Sequence, residues 1–146
     1  MENTNRKILL EVRNLKTYFK TDEGTAKAVD NINFTIYKGE TVGIVGESGS
    51  GKSVTCLSVL RLIASPPGYI AGGEILYHRS DGEIVDLAKV NRKGMGYYRG
   101  NEISMIFQEP MTSLNPVYSC GNQVMESILL HQKAHKPEAK HRTLKL

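Results

Sequence analysis

The run Gly46-Glu47-Ser48-Gly49-Ser50-Gly51-Lys52-Ser53 fits the spacing G-x-x-x-x-G-K-[ST], which belongs to a loop that cradles phosphate. Gly46, Gly49 and Gly51 let the backbone turn sharply and approach a ligand with no Cβ in the way. Ser48 and Ser50 lie between them, and the N–H groups of the whole run can line a concave nest for phosphate oxygens. That nest sits at the N-terminus of whatever helix follows, where backbone donors and the helix dipole both favour an anion. In such a loop Lys52 reaches the β- and γ-phosphates as a point charge, and the Ser53 hydroxyl binds Mg2+.

This chemistry requires a strand before the loop and a helix after it. Thr41-Val42-Gly43-Ile44-Val45 is short, apolar and β-branched, the composition of a parallel strand covered on both faces. Val54, Leu57, Leu60 and Ile63, flanked by Val59 and Leu62, have the spacing of a largely buried helix, ended by Ser65-Pro66-Pro67-Gly68. Ile103-Ser104-Met105-Ile106-Phe107 is a second buried-strand run, and it stops at Gln108-Glu109-Pro110. A polar residue at the carboxyl end of a core strand is where parallel α/β sheets place ligand chemistry. The alternative for Gln108 is a residue that merely caps the start of a loop.

Around this core the pattern predicts an antiparallel β layer. Residues 7–20 alternate as a strand that Asn14 interrupts, and Thr21-Asp22-Glu23-Gly24 is a polar turn. Ile32, Phe34 and Ile36 alternate with Asn31, Asn33 and Thr35, which predicts a half-buried strand. Lys38-Gly39-Glu40 then turns the chain toward the loop strand. Tyr18 falls in this layer, and on spacing alone an ordinary half-buried tyrosine is favoured over a ring that stacks on a base. Glu74–Arg79 and Glu83–Leu87 flank Asp81-Gly82, a strong hairpin signal. Residues 89–100 are basic and glycine-containing, compatible with a loop or with a short helix. A helix is expected from about Ser119, and Pro137 can open another. His131 and His135 stand four apart, but without an acid or third ligand they make a poor zinc site.

The chain has 146 residues, 40% hydrophobic and 23% charged, which is ordinary for a globular protein. No apolar run is long enough to cross a membrane, and the N-terminal residues lack the pattern of a signal peptide. The net charge of +4 resides in one short tail, where Lys133, Lys136, Lys140, Arg142 and Lys145 face only Glu138. This describes a solvated helix face rather than a nucleic-acid groove. Cys56 and Cys120 are far apart and read as reduced cytosolic thiols.

Taken together, the residues resemble the ATP-binding subunit of an ABC transporter. They are most similar to the ATPases of bacterial oligopeptide, dipeptide and nickel importers. The resemblance rests on Gly46–Ser53, on Ile-Phe-Gln-Glu-Pro-Met-Thr-Ser-Leu-Asn-Pro at 106–116, on Leu-Lys-Thr-Tyr-Phe at 15–19 and on Ala-Val-Asp at 28–30. It implies an α/β fold, with a P-loop NTPase core of parallel sheet and flanking helices plus an antiparallel β layer. Within it, 1–45 would form the β layer and loop strand, and 46–64 the P-loop and helix. Residues 65–107 would form the hairpin and core strand, and 108–146 the Q-loop and the start of a helical subdomain. The resemblance makes Tyr18 the ring that stacks on adenine, against the preference from spacing. It makes Gln108 the Q-loop glutamine, which helps hold Mg2+ and the attacking water. Val54 replaces the threonine common at its position, so only its N–H remains for the α-phosphate. The implied ligands are ATP and Mg2+. The implied partners are a homologous ATPase subunit and two membrane-spanning permease subunits, at the cytoplasmic face of the inner membrane. The family's L-S-G-G-Q signature, its second strand ending in Asp-Glu and its switch histidine do not occur in these residues. The expectation is therefore an N-terminal part of such an ATPase, marginally stable and without turnover of its own.

Overall fold

A computed structural model describes residues 6–108, 114–132 and 134–146. The chain divides into two compact units, one up to Met95 and one from Gly96.

The first unit is built on a four-stranded antiparallel sheet of order β2-β1-β3-β4. Strands β1 (Ile8–Thr21) and β2 (Gly24–Tyr37) form a long hairpin, closed by Thr21 opposite Gly24. Strand β3 (Gly68–His78) pairs on the other side of β1 and turns into β4 (Ile84–Asp86). The Asp81-Gly82 turn closes as its sequence predicts, with Arg79 N–H donating to the Glu83 carbonyl at 2.9 Å and Gly82 N–H donating to the Arg79 carbonyl at 3.2 Å. Asp86 braces the pair: its Oδ1 accepts from the N–H groups of Ile75 and Ala88, both at 3.1 Å.

The inward face of β1 changes parity along the strand. Leu10 and Val12 are buried, then Leu15 and Thr17. The switch occurs at Asn14, which has φ 49 and lies where the register shifts against both neighbouring strands. One extra residue in a strand reverses the side to which every later side chain points. Thr17 therefore faces inward and Tyr18 outward, whereas uninterrupted alternation from Leu10 and Val12 would have turned Tyr18 into the core.

Helix α1 (Lys52–Val59) packs on β1 and β2. It is shorter than the hydrophobic spacing suggests, because the chain leaves the helix before Ser65-Pro66-Pro67. Arg61 takes φ 51, its N–H donates to the Ser58 carbonyl at 3.0 Å, and Leu62 N–H donates to the Leu57 carbonyl at 2.8 Å. This paired closure satisfies carbonyls the helix end would leave bare. It usually uses glycine; here Arg61 is held by a hydrogen bond to the Val90 carbonyl.

The helix is keyed to the sheet by a buried hydroxyl pair. Ser58 Oγ donates its single proton to the Val54 carbonyl at 2.6 Å. Thr17 Oγ1 must then be the donor in its 2.8 Å contact with Ser58 Oγ. Both residues are fully buried. Ser58→Ala strands the Thr17 hydroxyl, which costs about 1–3 kcal/mol. Adding Thr17→Val removes the orphan and is expected to return part of that loss, as read from urea unfolding midpoints.

Two expected strands do not form. Residues 41–45 and 103–107 join no ladder among the described residues, apart from one isolated bridge between Arg99 and Ile103. That single bridge is parallel, but no parallel ladder forms among the described residues, and the four-stranded sheet is wholly antiparallel. Strands of this composition hold only when neighbours pair their N–H and C=O groups and cover their apolar faces. Lacking them, Val45 is 93% and Ile106 96% exposed.

Residues 89–100, left open by sequence, contain the short helix α2 (Met95–Tyr98). In the second unit α3 (Cys120–His131) starts as predicted at Ser119, whose hydroxyl accepts from Asn122 N–H. Gln123 pins the preceding loop by accepting from Asn115 N–H at 2.9 Å and donating to the carbonyls of Asn115 and Tyr118 at 3.0 and 3.1 Å. Helix α4 (Lys136–Thr143) opens with Pro137 in its first turn and packs on α3, burying Ala139 and Ile128. His135 is the N-cap of α4 while His131 ends α3, so the two histidines do not share a helix.

Candidate functional site

The loop from Gly46 to Lys52 is folded around the Lys52 ammonium. Its Nζ donates to the Gly46 carbonyl at 2.7 Å, the Glu47 carbonyl at 2.6 Å and Ser50 Oγ at 3.3 Å. An ammonium has three protons, so all are engaged. The bond to Ser50 is the longest, hence the one a phosphate oxygen can most readily replace. A turn from Glu47 to Ser50 tightens the loop, with Ser50 N–H donating to the Glu47 carbonyl at 3.2 Å.

Gly49 (φ 79) and Gly51 (φ 90) occupy left-handed backbone that favours glycine. At Gly51 there is also no room. A Cβ there would lie 2.4 Å from the Ala28 carbonyl oxygen and 3.6 Å from a Val29 methyl. The loop therefore closes against the edge strand β2 at Ala28 and Val29.

Gly51 is the N-cap of α1, offers no side-chain cap, and no acid stands in the first turn. The first intrahelical bond comes only at Thr55, whose N–H and hydroxyl both reach the Gly51 carbonyl, at 2.8 and 2.9 Å. The N–H groups of the first turn, from Lys52 to Val54, thus have no capping side chain, and the positive end of the helix has no compensating carboxylate. Ser53 is exposed in that turn and Val54 half-buried, while Ser48 is exposed on the loop. The combination of glycine backbone, helix N-terminus and lysine fits a polyphosphate.

Tyr18 lies on the outward face of the sheet. Its hydroxyl donates to Asp30 Oδ1 at 2.7 Å. Tyr69, directly opposite on β3, meets the ring edge-on, with centroids 6.2 Å apart and planes at 83°. The Lys27 ammonium is 5.7 Å from the ring centroid and 3.6 Å from Asp30 Oδ2. The Tyr18–Asp30 hydrogen bond raises the Tyr18 phenol above its ordinary pKa and holds the Asp30 carboxyl below its own. Asp30 was not singled out by sequence as a site residue. It is 12 positions from Tyr18 across a hairpin, and no local signal marks the pair.

Gln108 is exposed and lies in the second unit, at the end of the unpaired segment 103–107. Residues 109–113 of the proline-containing run fall outside the described residues. Neither cysteine is in a disulfide and both are exposed. None of the helices among the described residues is long and apolar enough to cross a membrane.

The sequence profile of the ABC transporter family matches residues 29–145. The chain is 47% identical over 140 residues to the glutathione import ATP-binding protein GsiA of Pectobacterium atrosepticum, covering 96% of this chain and 22% of that protein. It is 49% identical over 138 residues to the oligopeptide transport ATP-binding protein OppD of Bacillus subtilis, covering 94% of this chain and 37% of the relative. A putative peptide import ATP-binding protein of Brucella ovis is 46% identical over 134 residues, 92% of this chain and 40% of the relative. The chain thus spans well under half the length of these curated relatives. Among solved structures, the dimeric post-hydrolysis state of an ATP-binding cassette bound to ADP and Pi aligns with TM-score 0.75 at 22% identity, over 94% of this chain and 55% of the other. That likeness supports the α/β cassette fold expected from the sequence.

Proposed function

The chain belongs to the ABC transporter family, and on that premise we propose that it binds Mg·ATP within the ATP-binding subunit of a peptide importer. The observation that carries this reading is the loop itself: three carbonyl and hydroxyl oxygens gather the Lys52 ammonium beside an uncapped helix N-terminus.

In this reading the N–H groups from Gly46 to Val54 hold the phosphates. Lys52 exchanges its bond to Ser50 for one to a phosphate oxygen, and Ser53 supplies a hydroxyl to Mg2+. A bound Mg2+ would neutralise phosphate charge and polarise the terminal phosphoryl group. Tyr18 stacks on the adenine. Gln108 takes the role of Q-loop glutamine, and residues 109–135 begin the helical subdomain that docks on permease subunits at the inner face of the membrane. The peptide substrate class rests on the similarity to peptide import and oligopeptide transport ATP-binding proteins.

Calorimetric titration tests the binding claim. Mg·ATP and Mg·tripolyphosphate should both give heat, and AMP should bind at least about tenfold more weakly, since each charge-assisted phosphate bond is worth roughly 1.5–3 kcal/mol. Equal affinity for AMP and ATP would refute a polyphosphate nest. Loss of labelled-oligopeptide uptake in cells lacking the gene tests the transport claim.

A further inference from the structure

We propose that Asp30 is the positioning residue for the Tyr18 ring, holding it ready for a nucleotide base. This rests on the assignment of Tyr18 to base stacking.

The geometry comes from a one-residue irregularity in β2. Thr17 pairs with Val29 and Tyr18 with Lys27, so Ala28 has no partner on β1. A bulge of this kind re-aims the flanking side chains. Residues three apart on a regular strand would face opposite ways, yet here Lys27 and Asp30 both reach the Tyr18 side. The unpaired residue is also the one whose carbonyl abuts Gly51. One bulge thus places the support of the aromatic ring and seats the last glycine of the phosphate loop.

A free tyrosine ring must give up rotational freedom when it stacks, and that loss weakens binding. Here the freedom is already spent. The hydroxyl is tied to a carboxylate, which makes the bond charge-assisted. The Tyr69 ring stands T-shaped to it, with centroids 6.2 Å apart, and the Lys27 ammonium lies over it while pairing with Asp30. The hydrogen bond and ion pair of the Asp30 carboxylate run to Tyr18 and Lys27, so it acts through Tyr18.

The test titrates Mg·ATP and Mg·tripolyphosphate into the full chain and its variants. Tyr18→Ala should weaken ATP by roughly 5- to 100-fold through loss of the stack, with tripolyphosphate unchanged. Tyr18→Phe and Asp30→Ala should each weaken ATP about 3- to 10-fold and leave tripolyphosphate within about twofold. Combining those two changes should cost no more than either alone, because both remove one bond. Asp30→Asn keeps an acceptor for the phenol and should restore ATP affinity to within about twofold of the unaltered chain. Equal ATP binding by Tyr18→Ala and the unaltered chain overturns the stacking assignment. A loss in Tyr18→Ala that neither Tyr18→Phe nor Asp30→Ala shares overturns the positioning role alone. Parallel loss of ATP and tripolyphosphate in Asp30→Ala overturns it too, since that is the mark of a merely structural residue.

Discussion

Lys52→Ala is expected to weaken Mg·ATP binding by about 100-fold, the equivalent of losing one or two charge-assisted hydrogen bonds to phosphate. Two effects add. The variant has no cation for the β- and γ-phosphates. It also frees the Gly46 and Glu47 carbonyls and Ser50 Oγ, which the ammonium now gathers. With those oxygens released, only the Glu47–Ser50 turn still tightens the loop, and the N–H groups lose part of their shared orientation. Lys52→Arg should recover little of the loss, because a planar guanidinium cannot direct donors to three oxygens around a point. Thermal unfolding should move far less than binding, since these bonds lie in an exposed loop. Calorimetry and a melting curve on the same samples separate the two effects. Near-normal ATP affinity in Lys52→Ala would show that the loop does not hold phosphate.

Gly51→Ala should be the most damaging change of a single methyl group in the loop. A non-glycine residue at φ 90 carries roughly 1–2 kcal/mol of backbone strain. The added Cβ would also stand 2.4 Å from the Ala28 carbonyl oxygen, and a backbone atom in a strand cannot swing aside. Helix α1 or strand β2 must move, so a total loss of about 2–4 kcal/mol is expected, together with loss of nucleotide binding. Two neighbours serve as graded controls. Gly49 shares the positive φ, at 79, but has nothing within 4 Å of a built Cβ. Gly49→Ala should therefore cost only the strain, about 1–2 kcal/mol. Gly43 has neither a positive φ nor a nearby atom, and Gly43→Ala should be close to neutral. Urea unfolding midpoints give the order directly. A Gly51→Ala chain as stable as Gly43→Ala would mean that the close approach to Ala28 does not exist in solution.

The features that could be read from the chain are those whose causes are local. Asp81-Gly82 makes a hairpin because the two residues tolerate the turn. Ser119 caps α3 because its hydroxyl needs only the N–H three positions on. Residues 41–45 and 103–107 join no ladder among the described residues for the opposite reason. Their composition states that they suit a covered sheet, but a ladder also needs a partner, and partners are supplied from elsewhere. The early end of α1 was hidden as well. Arg61 carries no helix-stop signal, and its positive φ is held by a hydrogen bond to Val90, 29 positions away.

The same division runs through the site. Spacing alone marked Gly46–Ser53 as the candidate phosphate loop, because three flexible positions, a lysine and a hydroxyl lie within eight consecutive residues. It also determined the family, through runs of contiguous residues. Tertiary structure decided the rest. The extra residue at Asn14 turned Tyr18 outward, and the unpaired Ala28 brought Asp30 to its hydroxyl and a carbonyl to Gly51. Each of these depends on strand register, a relation between distant segments that is settled only when their backbones pair.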